Sequence, residues 1–134
     1  MPLIYELRQH RYEALAEAVL HLNKHQATRQ LRVAQAVPLL NGSINRGHYR
    51  IFSDGTRTLG FAAWALTSRD AASRWAFHND GSQIGDGVEG DGAIINFFVG
   101  DTVDTARKAR SEARNVFQGL SFICGRRSYQ SGDT

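Results

Sequence analysis

The side chains of this chain that could do chemistry are few. They are five histidines (His10, His21, His25, His48 and His78), one cysteine (Cys124) and a run of acids among glycines. His10 and His21 fall inside a segment of helical period. His78 closes another helix, where a cation suits the dipole, and His48 opens a strand. His25 stands where a helix gives way to a loop, a position from which an imidazole can face a cleft and move a proton. The plainer reading of each histidine is a surface or capping group. Cys124 lies in an apolar stretch, where inert packing is the default. No Cys/His set has the spacing of a zinc site, no G-x-S-x-G elbow is present, and no metal is expected.

The acidic glycine stretch runs from Asp80 through Asp86, Glu89 and Asp91 to Gly92, with five of the 13 glycines between Gly81 and Gly92. Its spacing matches neither an EF-hand nor a tandem glycine–aspartate repeat, so a flexible solvated loop over 79–92 is expected. Gly85-Asp86-Gly87-Val88-Glu89-Gly90 fits the letters of a dinucleotide fingerprint but precedes a strand instead of following one. The turn after Val99 enters a helix N-terminus that could hold an anion. Asp101 and Asp104 occupy it, however, and would repel a coenzyme A pyrophosphate. No bound cofactor is expected.

Periodicity gives the elements that must position these groups. Ile4, Leu7, Ala14, Leu15, Ala18, Val19 and Leu22 predict one amphipathic helix over Leu3 to Asn23. Leu31 and Val33 to Val37 predict a short second helix bounded by Pro38, with loop signals at Asn41-Gly42-Ser43 and Asn45-Arg46-Gly47. Strands at about 48–53 and 57–66 flank Asp54-Gly55 and predict an antiparallel hairpin; Gly60 marks a bulge or a close backbone approach. Thr67 or Ser68 caps a helix to His78, with Ala72, Trp75 and Ala76 on its buried side. Ala93 to Val99 suits a central strand buried on both faces. Asp101 or Thr102 then caps a helix to about Gln118, which Gly119 stops. Leu120 to Cys124 closes the series, followed by a polar tail at 132–134. The fold class is therefore α/β (α+β): a mixed, mostly antiparallel sheet flanked by helices, in one domain over 1–134.

Composition bounds the rest. The 134 residues suit one core, 42% are apolar, and the net charge is +3 with a pI near 9.4. No apolar run approaches the ~20 residues of a membrane span, and the N-terminus has no secretory pattern, so a cytoplasmic protein is expected. Lys24 and Lys108 are the only lysines among 16 basic residues; the rest are arginine. Arg107, Lys108, Arg110 and Arg114 share one helix, with Arg126 and Arg127 further on. Aromatics are not interleaved with them as a single-strand platform requires, which argues against nucleic acid and for an acidic protein partner.

Three stretches carry a family resemblance. Tyr49-Arg50-Ile51-Phe52 through Phe61-Ala62-Ala63-Trp64-Ala65 reads as a hairpin ending in an aromatic–x–small–Trp–Ala pattern. Gly90-Asp91-Gly92-Ala93-Ile94-Ile95-Asn96-Phe97-Phe98 reads as Gly-Asp leading into a central strand, and His25 precedes the segment to Pro38. In these the chain resembles the RTX toxin-activating lysine acyltransferases, bacterial proteins of acetyltransferase-like fold. The resemblance implies transfer of a fatty acyl group from acyl carrier protein to a lysine of a partner protein, with dimers known in the family. It implies His25 as the essential histidine. The family's central strand carries an acid that works with that histidine, and the alignment puts Asn96 at its place. An approach of Asp91 or Asp101 to His25 would move that assignment. Trp64, Phe97 and Phe98 become candidate acyl-pocket residues, and Arg107, Lys108, Arg110 and Arg114 candidates for meeting the acidic carrier. Two other readings stand beside this one. The first is a divergent relative that binds a carrier or partner without turnover, favoured by Asn96; the second is a small basic nucleic-acid-binding domain.

Overall fold

A computed structural model describes residues 4–6, 11–25, 28, 30–78, 80, 81 and 84–125. The elements in chain order are β1 (Ile4–Glu6), α1 (Arg11–Lys24), α2 (Val33–Arg46), β2 (Tyr49–Ser53) and β3 (Thr58–Thr67). They continue with α3 (Arg69–His78), β4 (Gly92–Gly100), α4 (Val103–Val116) and β5 (Phe122–Gly125). The strands form one sheet in the order β1-β2-β3-β4-β5, antiparallel except for the parallel β4–β5 pair. This is the mixed, mostly antiparallel sheet with flanking helices that the sequence predicts. No described helix is long and apolar enough to cross a membrane.

Two segment assignments change. The predicted helix from Leu3 divides: residues 4–6 are a strand paired with Ser53, Phe52 and Ile51, and the helix begins only at Arg11. Ile4 and Tyr5 are strand formers, and pairing covers an edge of β2 that would otherwise stand open. Helix α2 runs through Pro38 and the Asn41-Gly42-Ser43 loop signal to Gly47, whose left-handed φ of 77° ends it. Ala36, Leu40, Ser43 and Ile44 form a buried stripe at helical spacing, and this tertiary packing outweighs the local breakers. Pro38 is exposed, as is Ala34, whose carbonyl loses the helical N–H and faces water. His10, Arg126, Arg127 and the 132–134 tail lie outside the described residues.

The hairpin, α3 and α4 follow the sequence closely. Asp54 Oδ1 accepts from the backbone N–H of Thr56 and of Arg57 and from the Thr56 hydroxyl, which holds its carboxyl down at about 2. Ser68 Oγ accepts from Ala71 N at 3.2 Å, and Thr102 Oγ1 from Thr105 N at 3.1 Å, each capping the helix that follows. The last strand starts at Phe122, two residues later than predicted.

Two layers cover the sheet. On one face Ala14, Ala18 and Leu22 of α1 and Leu40 and Ile44 of α2 pack on Ile51, Phe61, Ala63, Phe97 and Val99. Further along the same face of β3, Ala65 meets Ile94 and, from α3, Ala72 and Trp75. On the other face Trp64, Ala93 and partly buried Ile95 meet Phe117 and the Ala113–Val116 turn of α4. Strand β4 therefore sends odd-numbered residues to one face at its C-terminal end and to the opposite face at its N-terminal end. The register gives the cause. Ala63 pairs with Phe97 and the next residue, Trp64, with Ile95, so Asn96 is the extra residue of a β-bulge.

Arginine has structural work inside this frame. Arg46, at the end of α2, donates to Trp64 O at 2.9 Å, to Asp86 O at 3.0 Å and to His48 Nδ1 at 3.1 Å. It ties α2, β3 and the 84–91 loop together, which explains why a Cβ at Gly87 would press on Arg46 and Ala65. Arg69 lies 4.8 Å over the Phe122 ring and joins α3 to the edge strand.

Gly60 fulfils its sequence signal as a close backbone approach. A Cβ there would stand 2.7 Å from Thr105 Cγ2 and 2.9 Å from Val99 O, so α4 is seated on this glycine. Gly60→Ala is expected to lower stability by about 1–3 kcal/mol through overpacking, read as a drop in the urea unfolding midpoint.

Candidate functional site

Helix α1 ends against the exit of β4. Its last turn carries His21 and Lys24, His25 follows, and Thr28 closes it by donating from Oγ1 to Leu22 O at 2.7 Å. Strand β4 ends at Gly100, and the Asp101 N–H that follows donates to Leu59 O of β3 at 2.8 Å. The Asp101 carboxylate is thereby fixed to the sheet and pointed at the helix end.

Three groups converge on it. Lys24 Nζ donates to Asp101 Oδ2 at 2.5 Å, and His25 Nε2 lies 2.9 Å from Oδ1 in hydrogen-bond geometry. His21 Nε2 is 3.1 Å from the same Oδ1 but off line, and among the described residues it has no hydrogen-bond partner. The two imidazoles sit 5.2 Å apart, tilted by 41°. Desolvation pushes the Asp101 carboxyl upward. Hydrogen bonds from Lys24 and His25 and the charges of His21 and Lys24 outweigh it and hold the group below its ordinary value. At His21 desolvation dominates and lowers the pKa. Asp101 opposes the shift, while His25 and Lys24 add to it.

The His25 partner is thus Asp101, not Asn96. Asn96 is taken up as the bulge residue of β4, and this corrects the pairing expected for it. A histidine bonded through Nε2 to an ionised carboxylate carries its proton on that nitrogen and keeps the Nδ1 lone pair for a substrate proton. Part of the sequence signal for this was present. Asp101 is visible as an acid at the turn from strand to helix, where the helix dipole alone accounts for it.

A cavity of about 390 Å³ opens on the α4 face of the sheet. Phe52, Trp64, Ile95 and Phe98 form its sheet wall, and Ala106, Ala109 and Ala113 form the helix wall. Those three alanines leave the room, and the volume falls within the range of small-molecule sites. The bulge is what lets Ile95 and Phe98, three residues apart on one strand, share this wall. Polar groups collect on one side: Arg50 lies 5.3 Å over the Trp64 ring with Nε 3.8 Å from buried Glu112 Oε1, and Arg110 joins the lining. Phe98 at the rim is three residues from Asp101, a chain span of at most about 10 Å.

Trp64 and Phe98 both line this cavity. Phe97 does not; it is buried with Phe61 and Val99 in the core on the opposite face, because the pleat turns it away from its neighbour. On α4, Arg110 reaches the cavity, whereas Arg107 and Arg114 are exposed and Lys108 is half-buried. Arg107 lies 3.7 Å from Asp104 of its own helix.

No protein-family model matches this chain, and no curated protein matches its sequence.

His48 stacks on Trp64 at 5.8 Å behind the pocket wall. Desolvation lowers its pKa below 6.5, and the neighbouring guanidinium groups of Arg46 and Arg50 lower it further. The unfolded chain therefore takes up this proton first, and the folded state loses stability as the pH falls below about 6.5. His48→Gln should flatten the decline in urea midpoint between about pH 7 and pH 5 relative to the parent chain.

Proposed function

We propose that the protein is an acyltransferase that moves a fatty acyl group from acyl carrier protein to a lysine of a partner protein, with His25 and Asp101 as its proton-handling pair. The observation that carries this reading is the 2.9 Å hydrogen bond between His25 and a carboxylate fixed at the exit of β4. The family resemblance calls for an acid working with this histidine, and Asp101 supplies the carboxylate that Asn96 lacks. The non-catalytic reading rested on Asn96 and loses that ground.

In the proposed step the lysine nitrogen attacks the thioester carbonyl while His25 Nδ1 takes a proton from it. The new N–C bond forms, the C–S bond breaks, and the carrier thiolate leaves with the proton returned from the imidazolium. Asp101 holds the ring and stabilises its charged form. The apolar cavity under Trp64, Phe52 and Phe98 suits the acyl chain. Arg107, Arg110 and Arg114, at three- and four-residue intervals along α4, offer cations to an acidic carrier.

Incubation with labelled acyl carrier protein and a lysine-bearing protein tests this. His25→Ala is expected to cut transfer by about 10²–10⁴-fold, and Asp101→Asn by roughly 10²-fold or more, with the fold intact by circular dichroism. Asn96→Ala should leave transfer close to the parent rate. Undiminished transfer by His25→Ala would remove that residue from its role. Ala109→Trp, which fills the cavity, should penalise long acyl chains most, since each methylene excluded forfeits about 0.8 kcal/mol, or about fourfold in affinity.

A further inference from the structure

His21 has no task in the proton transfer just described, yet it is more deeply buried than His25. It stands in the last turn of α1, four residues before His25, which follows the helix end, and the two rings lie 5.2 Å apart. Its side chain is 5% exposed, and its Nε2 is buried without a hydrogen-bond partner among the described residues. A ring nitrogen left without a well-aligned partner in the interior costs stability unless something takes it up. That nitrogen, His25 Nε2 and an Asp101 carboxylate oxygen all lie within 4.8 Å of one another.

Two imidazoles and one carboxylate make a donor set for a borderline cation such as zinc, and one poorly suited to magnesium or calcium. Bonds of 2.0–2.1 Å in a tetrahedral site place donors about 3.3–3.4 Å apart. The two imidazole-to-carboxylate distances here, 3.1 and 2.9 Å, need to open by only a few tenths of an ångström. His25, with a side chain 25% exposed, leaves a path from solvent and room for a fourth ligand. Lys24 occupies the other carboxylate oxygen, and at 55% exposure it can swing into water as a cation arrives. Spacing along the chain could not disclose this set, because the third donor comes from 76 residues away.

We propose that His21, His25 and Asp101 form a three-ligand site for a zinc ion, with an open fourth position toward solvent. The site itself does not depend on the acyltransferase reading. If that reading also holds, zinc takes up the nitrogen and the carboxylate that transfer uses, and so inhibits it.

The test uses the untagged full-length chain, stripped with chelator. It is titrated with Zn²⁺ by calorimetry and with Co²⁺ by visible absorption. One equivalent should bind, with the intense bands of low-coordinate cobalt. His21→Gln and His25→Gln should each weaken binding at least about tenfold. Lys24→Met should tighten it, and His78→Gln should leave it unchanged. Nitrogen-15 spectra of the parent chain need no variant: zinc should shift the Nε2 resonances of His21 and His25 and no other imidazole. Absence of saturable binding would overturn the site. So would binding that survives both glutamine variants, or zinc shifts confined to other histidines. Zinc binding by a parent chain that shows no acyl transfer would overturn the acyltransferase reading alone, and transfer lost in His25→Ala with no zinc binding by the parent chain would overturn the site alone.

Discussion

The molecule turns on one carboxylate. Asp101 is bonded through its own N–H to β3 and through its side chain to the last turn of α1, so it is the joint between the sheet and the helix laid across it. The stripe of α1 facing the sheet is built of Ala14, Ala18 and Leu22, small enough to bring the helix axis close but supplying little directional restraint. The carboxylate provides the direction. It sets where the helix ends, and with it the positions of two imidazoles and an ammonium. Its cost of burial is met by those same groups, which hold it ionised.

A second constraint is the seating of α4. The helix is pressed on Gly60 at one end and stands off the sheet where Ala106, Ala109 and Ala113 face it. Contact at one end and small side chains along the rest produce a cavity without a hole in the core proper. Glu112, buried on the same helix, meets Arg50 from β2, so the space is lined by apolar groups with one charged pair at its margin. The cavity lies on the α4 face of the sheet, whereas the carboxylate follows the end of β4 and meets α1, which covers the other face.

The sequence was a good guide where local signals agreed with packing. The turn chemistry of Asp54-Gly55 and the caps at Ser68 and Thr102 stand where the residue types put them, while the last long helix ends at Val116 with Phe117 as its cap, short of Gly119. It misled where a strong neighbour overrode a local rule. The buried stripe of α2 carried the helix through Pro38, and the open edge of β2 drew residues 4–6 out of a helical pattern. Of the candidate site, His25 was legible as a histidine at a helix end. Its partner was not, because Asp101 had an adequate local explanation as a first-turn acid. Phe97 and Phe98 look alike in sequence, and only the pleat tells them apart.

The bulge at Asn96 has a consequence of a different kind. Across β4 it reverses which residues face α4 and which face α1 and α2, so the facing of the N-terminal half of the strand depends on the bulge staying formed. Straightening it with every residue kept would exchange core for pocket along that half: Ile95 and Ala93 would turn toward α1 and α2, and Ile94 would turn toward α4. Deleting Asn96 would leave each side chain on its face, because Phe97 and Ile95 already pair with the consecutive residues Ala63 and Trp64. The strand can lose this residue more safely than it can absorb it into a regular ladder.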